Sequence, residues 1–168
     1  VSDEQSSLNE VSTVLWRERQ LLELLLFKLE EEQLVLAAGR TRWLTHATRE
    51  VETVLGEIRR VEVMRGVQLG FAALTLGLAK EPSLRELAEC APGPWAGIFA
   101  DHRRALLALT AEIEELAKAN RDLLGRGAEA ARGALAALED TGGGGNQYTS
   151  DGTEPVARGS LGLVNEAM

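Results

Sequence analysis

Aromatic rings, cysteine and histidine are all scarce in this sequence, and each scarcity excludes something. A single cysteine, Cys90, closes no intramolecular disulfide and is too few for a zinc site. It reads as a small apolar residue. The two histidines, His46 and His102, stand in no metal-binding or catalytic motif. The residues three before them are Trp43 and Phe99, so there is no Glu-x-x-His pair of the di-iron bundle kind. Asp101 next to His102 on a helix points elsewhere and completes no triad. His102 is therefore expected as a half-buried bundle histidine. Aromatics make up only 4% of the chain, which suits long helices better than a compact mixed core.

Positive charge is also lacking. The net charge is −8 over 168 residues, and no basic stripe stands out. That excludes nucleic acid and anionic membrane surfaces as partners, because phosphate contacts need clustered Lys and Arg. Long apolar runs are absent as well. Val67 to Ala79, "VQLGFAALTLGLA", is too short to span a bilayer and is cut by glycines. The opening "VSDEQSSLNE" is polar and acidic and is no signal peptide. A cytoplasmic protein with no membrane insertion is expected.

What the sequence does have is heptads. Leu8, Leu15, Leu22, Leu29 and Leu36 recur by sevens, which places them on one seam of a helix over about residues 7–38. Val11, Leu25 and Leu26 widen the seam, and Glu18 and Glu32 interrupt it. Gly39 reads as a stop or hinge. A second helix, about 41–77, carries Leu44, Val51 and Ile58, with Ala47, Val54 and Val61 three residues on from each. Gly66, Gly70 and Gly77 weaken its far end. Pro82 breaks the pattern, and Ser83 with Glu86 forms a capping box for a short helix over 83–90. A last helix over 94–139 opens at Pro94. Its seam runs Phe99, Leu106, Ile113, with Leu109, Leu116 and Leu123 interleaved. At 1.5 Å per residue it would be a rod of roughly 65 Å that needs partner helices along most of its length.

These patterns predict an all-α fold: an elongated antiparallel bundle or coiled coil of three long helices plus one short one. A helical domain covers 1–139, and 140–168 is a flexible tail. "DTGGGGNQYTSDGTEPVARG" is rich in Gly, Thr, Ser and Asp and has no periodicity, which predicts disorder. Its glycine run follows no strand and lacks the Gly-Lys-Ser/Thr ending of a phosphate loop. Glu30, Glu31 and Glu32 read as a solvated helix face. No cofactor, metal site or enzymatic signature is present.

Asn120 occupies the core position that follows Phe99, Leu106 and Ile113. A buried Asn there either fixes register or faces the polar groups of a partner helix. The helices together carry more apolar face than they can cover for one another. Such stripes mark binding sites, and a groove beside a long helix suits an amphipathic helix from another chain.

Several stretches carry a resemblance. "LLFKLEEEQLVLAAGRTRWLTHATREVETVLGEIRRVEVMR" (Leu25 to Arg65) resembles the first helical hairpin of the FlgN-type flagellar secretion chaperones. "NRDLLGRGAEAARGALAALE" resembles their terminal helix, with its Asn-x-x-Leu-Leu opening at Asn120, Leu123 and Leu124. "YTSDG" resembles the Tyr-x-x-x-Gly element of their tail, with the chain's only tyrosine, Tyr148. The four-glycine linker and the insert between the second and last long helices are more elaborate than in the simplest members. The resemblance implies a cytoplasmic export chaperone that works without ATP as a monomer or weak homodimer. It would bind the C-terminal helices of hook–filament junction (hook-associated) proteins, prevent premature assembly and deliver them to the type III export gate. It implies cargo contacts on Ile113, Leu116, Asn120, Leu123, Leu124, Leu135 and Leu138. It also implies docking of Tyr148 on the export-gate membrane protein, where one aromatic on a flexible arm reaches a second partner while the helix holds cargo. The alternative from a different class is a structural coiled-coil protein that associates with itself through the same seams.

Overall fold

A computed structural model of the chain describes residues 2–78 and 82–143. The elements in order are α1 (Ser2–Ala37), a 3₁₀ turn (Thr41–Trp43), α2 (Leu44–Leu76), α3 (Leu84–Cys90) and α4 (Pro94–Gly143). Among the described residues there is no strand. The fold is an all-α helical bundle. The chain divides into two units, the first ending at Glu129 and the second beginning at Ala130.

α1 starts at Ser2, earlier than the leucine periodicity alone marks. Asp3 and Glu4 lie in its first turn, where carboxylates complement the helix dipole. Its end is a glycine motif: Gly39 adopts φ 63°, and the Arg40 N–H donates to the Val35 carbonyl at 3.1 Å. α2 ends the same way, with Gly77 at φ 68° and the Leu78 N–H on the Ala73 carbonyl at 2.9 Å. A side chain at either glycine would be strained in that left-handed conformation. α3 opens with the capping box read from the sequence. Ser83 Oγ accepts from the Glu86 N–H at 3.2 Å, and the Ser83 N–H donates to Glu86 Oε2 at 2.7 Å. The Ser83 N–H and hydroxyl, both donating to Glu86 Oε2, hold the Glu86 carboxyl below its ordinary range.

Paired contacts give the topology of the first unit. α1 meets α2 at Ser7 with Thr75, Glu18 with Arg65, Lys28 with Glu50, and Glu32 with Thr48. One number rises as the other falls, so the two helices are antiparallel. α1 meets α4 at Trp16 with His102 and at Glu32 with Asn120, so these two are parallel. The order is up, down, up, with α3 in the second connection.

The core has two clusters. One gathers Leu8, Val11 and Leu15 with Leu69, Ala72, Leu87, Phe99 and Leu106, where α3 closes one end. The other gathers Leu21, Leu25 and Leu29 with Val51, Val54, Ile58 and Val61, and Ile113 and Leu116 pack against it. Leu22 touches both. The heptad leucines of α1 thus form one continuous spine up to Leu29.

Buried polar groups, Glu18 and His102 among them, interrupt this spine. Glu18 is buried, and its carboxylate accepts from Arg65 Nη1 at 2.5 Å. Burial raises the Glu18 pKa, against the attraction of Arg65. His102 is 2% exposed, more deeply buried than its sequence context suggests, with the Trp16 ring edge-on at 5.0 Å. Its pKa is lowered by burial first and by Arg19 second, with Asp101 opposing.

The fold therefore favours the neutral imidazole. The stability His102 contributes is complete above its unfolded value of about 6.5 and is lost as pH falls below it. Thermal unfolding across a pH series should show wild type losing stability relative to His102→Leu below about pH 6.5, with a constant difference above it. Glu18, whose slope has the opposite sign, is common to both proteins and cancels. A gap that stays flat through the acid range would mean His102 does not titrate on unfolding.

Candidate functional site

The three heptad seams run out together at the hairpin end of the bundle. The next seam residues are Leu36 on α1, Leu44 on α2 and Leu123 on α4. None joins a core cluster. Instead they line a cleft of about 320 Å³ together with Val35, Leu124, Gly39 and Thr41. The walls are aliphatic from all three helices, and the cleft is open.

A polar layer forms its floor. Thr48 Oγ1 donates to Glu32 Oε1 at 2.8 Å. Asn120 Nδ2 donates to Glu32 Oε2 at 3.0 Å and to the Leu29 carbonyl at 2.9 Å. Asn120 is 2% exposed, and its Oδ1 finds no partner among the described residues. Helix geometry places this layer one turn below the cleft. Val35 and Leu36 follow Glu32 by three and four, Leu123 and Leu124 follow Asn120 by the same steps, and Leu44 precedes Thr48 by four. A buried carboxyl satisfied from two sides fixes the register of α1, α2 and α4, because any slip would leave it buried without partners.

The residues proposed from sequence for cargo contact fall into distinct settings. Leu123 and Leu124 line the cleft. Ile113 and Leu116 are half-buried against the second core cluster, and Asn120 is engaged in the floor. Leu135 and Leu138 belong to the second unit and are 60% and 68% exposed on α4. Tyr148 lies outside the described residues. The contributions of Val35, Gly39 and Thr41 were not signalled by the sequence. Cys90, expected as a small apolar residue, carries an exposed thiol.

A second apolar surface lies on α2. Val63, Met64, Val67, Phe71 and Leu74 are all exposed. At 100° per residue they share one stripe of the helix. No helix among the described residues is long and apolar enough to cross a membrane. Among the same residues no group of three or more His, Cys, Asp or Glu side chains could hold a metal ion. The cleft and the stripe offer shape and apolar area. That suits reversible capture of another chain.

Comparison with curated proteins and with solved structures gives no match. The model of one family, described as FlgN protein, matches residues 7–155, which spans the bundle, the cleft and Tyr148. The chain belongs to the FlgN family of flagellar export chaperones.

Proposed function

We propose that this protein holds the C-terminal helical segments of hook–filament junction proteins in the cytoplasm and hands them to the type III export gate. The observation that carries this reading is the convergence of three heptad seams in an unfilled apolar cleft. A helix from another chain can continue the seams where Leu36, Leu44 and Leu123 end. Leu123 and Leu124 are the central cargo contacts in this proposal, and Leu135 and Leu138 are further contacts along α4. Ile113, Leu116 and Asn120 face α1 and α2, so their part is to set α4 in place. Cargo held this way has its own assembly helix covered, which prevents premature polymerisation. Tyr148 is the proposed anchor on the export-gate membrane protein.

The test is calorimetric titration of the full chain with the C-terminal helical segment of a junction protein. Tight binding is expected, with a negative heat-capacity change from apolar burial. Tyr148→Ala should leave that affinity unchanged and lower secretion of the cargo in cells. Unchanged secretion would remove the docking role.

A second reading, self-association as a structural coiled coil, is favoured by the exposed stripe Val63, Met64, Val67, Phe71 and Leu74. It requires a stable homo-oligomer that ignores the cargo segment. Sedimentation of the free protein, run beside the titration, decides between them.

A further inference from the structure

The charge around the cleft is opposite to that of the chain. The protein carries a net charge of −8. Between Glu32 and Glu50, however, Arg40, Arg42 and Arg49 occur without one Asp or Glu. This segment is the tip of the α1–α2 hairpin. Gly39 and Thr41 line the cleft, so Arg40 stands between two lining residues and Arg42 directly follows the second.

All three arginines are exposed, and none takes part in an ion pair among the described residues. Arg42 lies over the Trp43 ring, 4.8 Å from its centroid, which presents a flat cation beside an exposed aromatic.

Of the three α1 carboxylates nearest the tip, Glu30 is exposed and lies ten positions before Arg40, and the other two are engaged. Glu31 is held by Lys28 at 2.7 Å, and Glu32 is committed to Thr48 and Asn120 in the floor. On α4, Arg121 and Arg126 are balanced by Asp122 and Glu129. The positive excess therefore belongs to the hairpin tip.

An apolar cleft with a cationic edge selects for a matching ligand. We propose that the cleft takes an amphipathic helix whose apolar stripe is bordered by carboxylates, with apolar side chains between Leu36, Leu44, Leu123 and Leu124 and acidic side chains on Arg40 and Arg42. The proposal rests on the chaperone reading for the source of that helix and adds the chemistry by which cargo is chosen. Three arginines on an acidic protein are too few to hold a polyanion, which is why a peptide is the occupant rather than a lipid surface.

The test uses the full chain and two designed helical peptides. They share the same leucine positions and differ only in having Glu or Lys at the stripe borders. Affinities are measured at low and high salt. The acidic peptide should bind about tenfold more tightly at low salt, from two surface-exposed charge contacts. The gap should close at high salt. Arg40→Glu with Arg42→Glu should reverse the preference, and Arg40→Lys with Arg42→Lys should retain most of it. Far-ultraviolet circular dichroism checks that each variant stays helical.

Equal affinity for the two peptides, or a preference that survives charge reversal, overturns the proposal. So does binding of anionic phosphatidylserine vesicles in place of the acidic peptide. Cargo binding that is lost in Leu124→Asp but indifferent to charge reversal keeps the chaperone reading and removes this one. Capture of the acidic peptide without capture of a junction-protein segment does the reverse.

Discussion

Replacing Phe99 by Ala should cost about 3–5 kcal/mol of folding stability, the largest effect expected of any single core truncation here. Phe99 is fully buried and is among the largest such side chains in the chain. It lies where α1, α2, α3 and α4 meet, in the cluster of Leu8, Val11, Leu15, Leu69, Leu87 and Leu106. Trp95 stacks beside it, with ring centroids 5.7 Å apart. Four elements converge on one ring, so the cavity cannot close by moving one of them. Urea unfolding should show the midpoint falling with its slope unchanged. Against a typical total stability of about 5–15 kcal/mol, such a loss leaves a marginal protein. Phe99 and Leu123 are separated along α4 by roughly 36 Å at 1.5 Å per residue. The fraction that stays folded should therefore bind cargo with unchanged affinity. A loss below about 1 kcal/mol would mean that the ring is not enclosed as described.

The heptads made the bundle legible. Leu8, Leu15 and Leu29 are buried where their spacing places them, and so are Val51, Ile58, Phe99 and Leu106. Asn120 and Glu32 were both visible as polar residues on apolar seams. That they meet was not visible, because they are 88 positions apart and the bond depends on how α1 and α4 are staggered. The same holds for Trp16 against His102. The cleft was half legible. Leu123 and Leu124 could be named from the sequence of α4, but the space in front of them exists only because the α1–α2 turn falls level with that point. Gly39 and Thr41 enter because of where the α1–α2 turn falls, which has no signature in residue type. Heptad spacing also cannot separate a face that meets a partner from one left open. Val67, Phe71 and Leu74 repeat at helical spacing, four and three apart, and are exposed on α2.

The double substitution Leu123→Asp, Leu124→Asp should weaken cargo binding by at least about 100-fold and leave the bundle folded. Each leucine that buries its side chain against cargo contributes about 1.5–3 kcal/mol. An aspartate in its place also brings a charge that must lose its water when cargo covers the aliphatic wall. Even the lower end of these terms exceeds two decades of affinity when summed. Stability should hold, because neither leucine belongs to a core cluster and Leu124 is already 39% exposed. In the free protein both aspartates can reach water through the open side of the cleft. Calorimetric titration reads the first effect, and urea unfolding of the same preparation reads the second. The pairing matters, because lost binding with lost stability would describe a damaged fold rather than a site. Affinity that survives in a folded double variant would move cargo off this cleft. The exposed stripe on α2 would then be the next surface to test, with Phe71→Asp as the corresponding change.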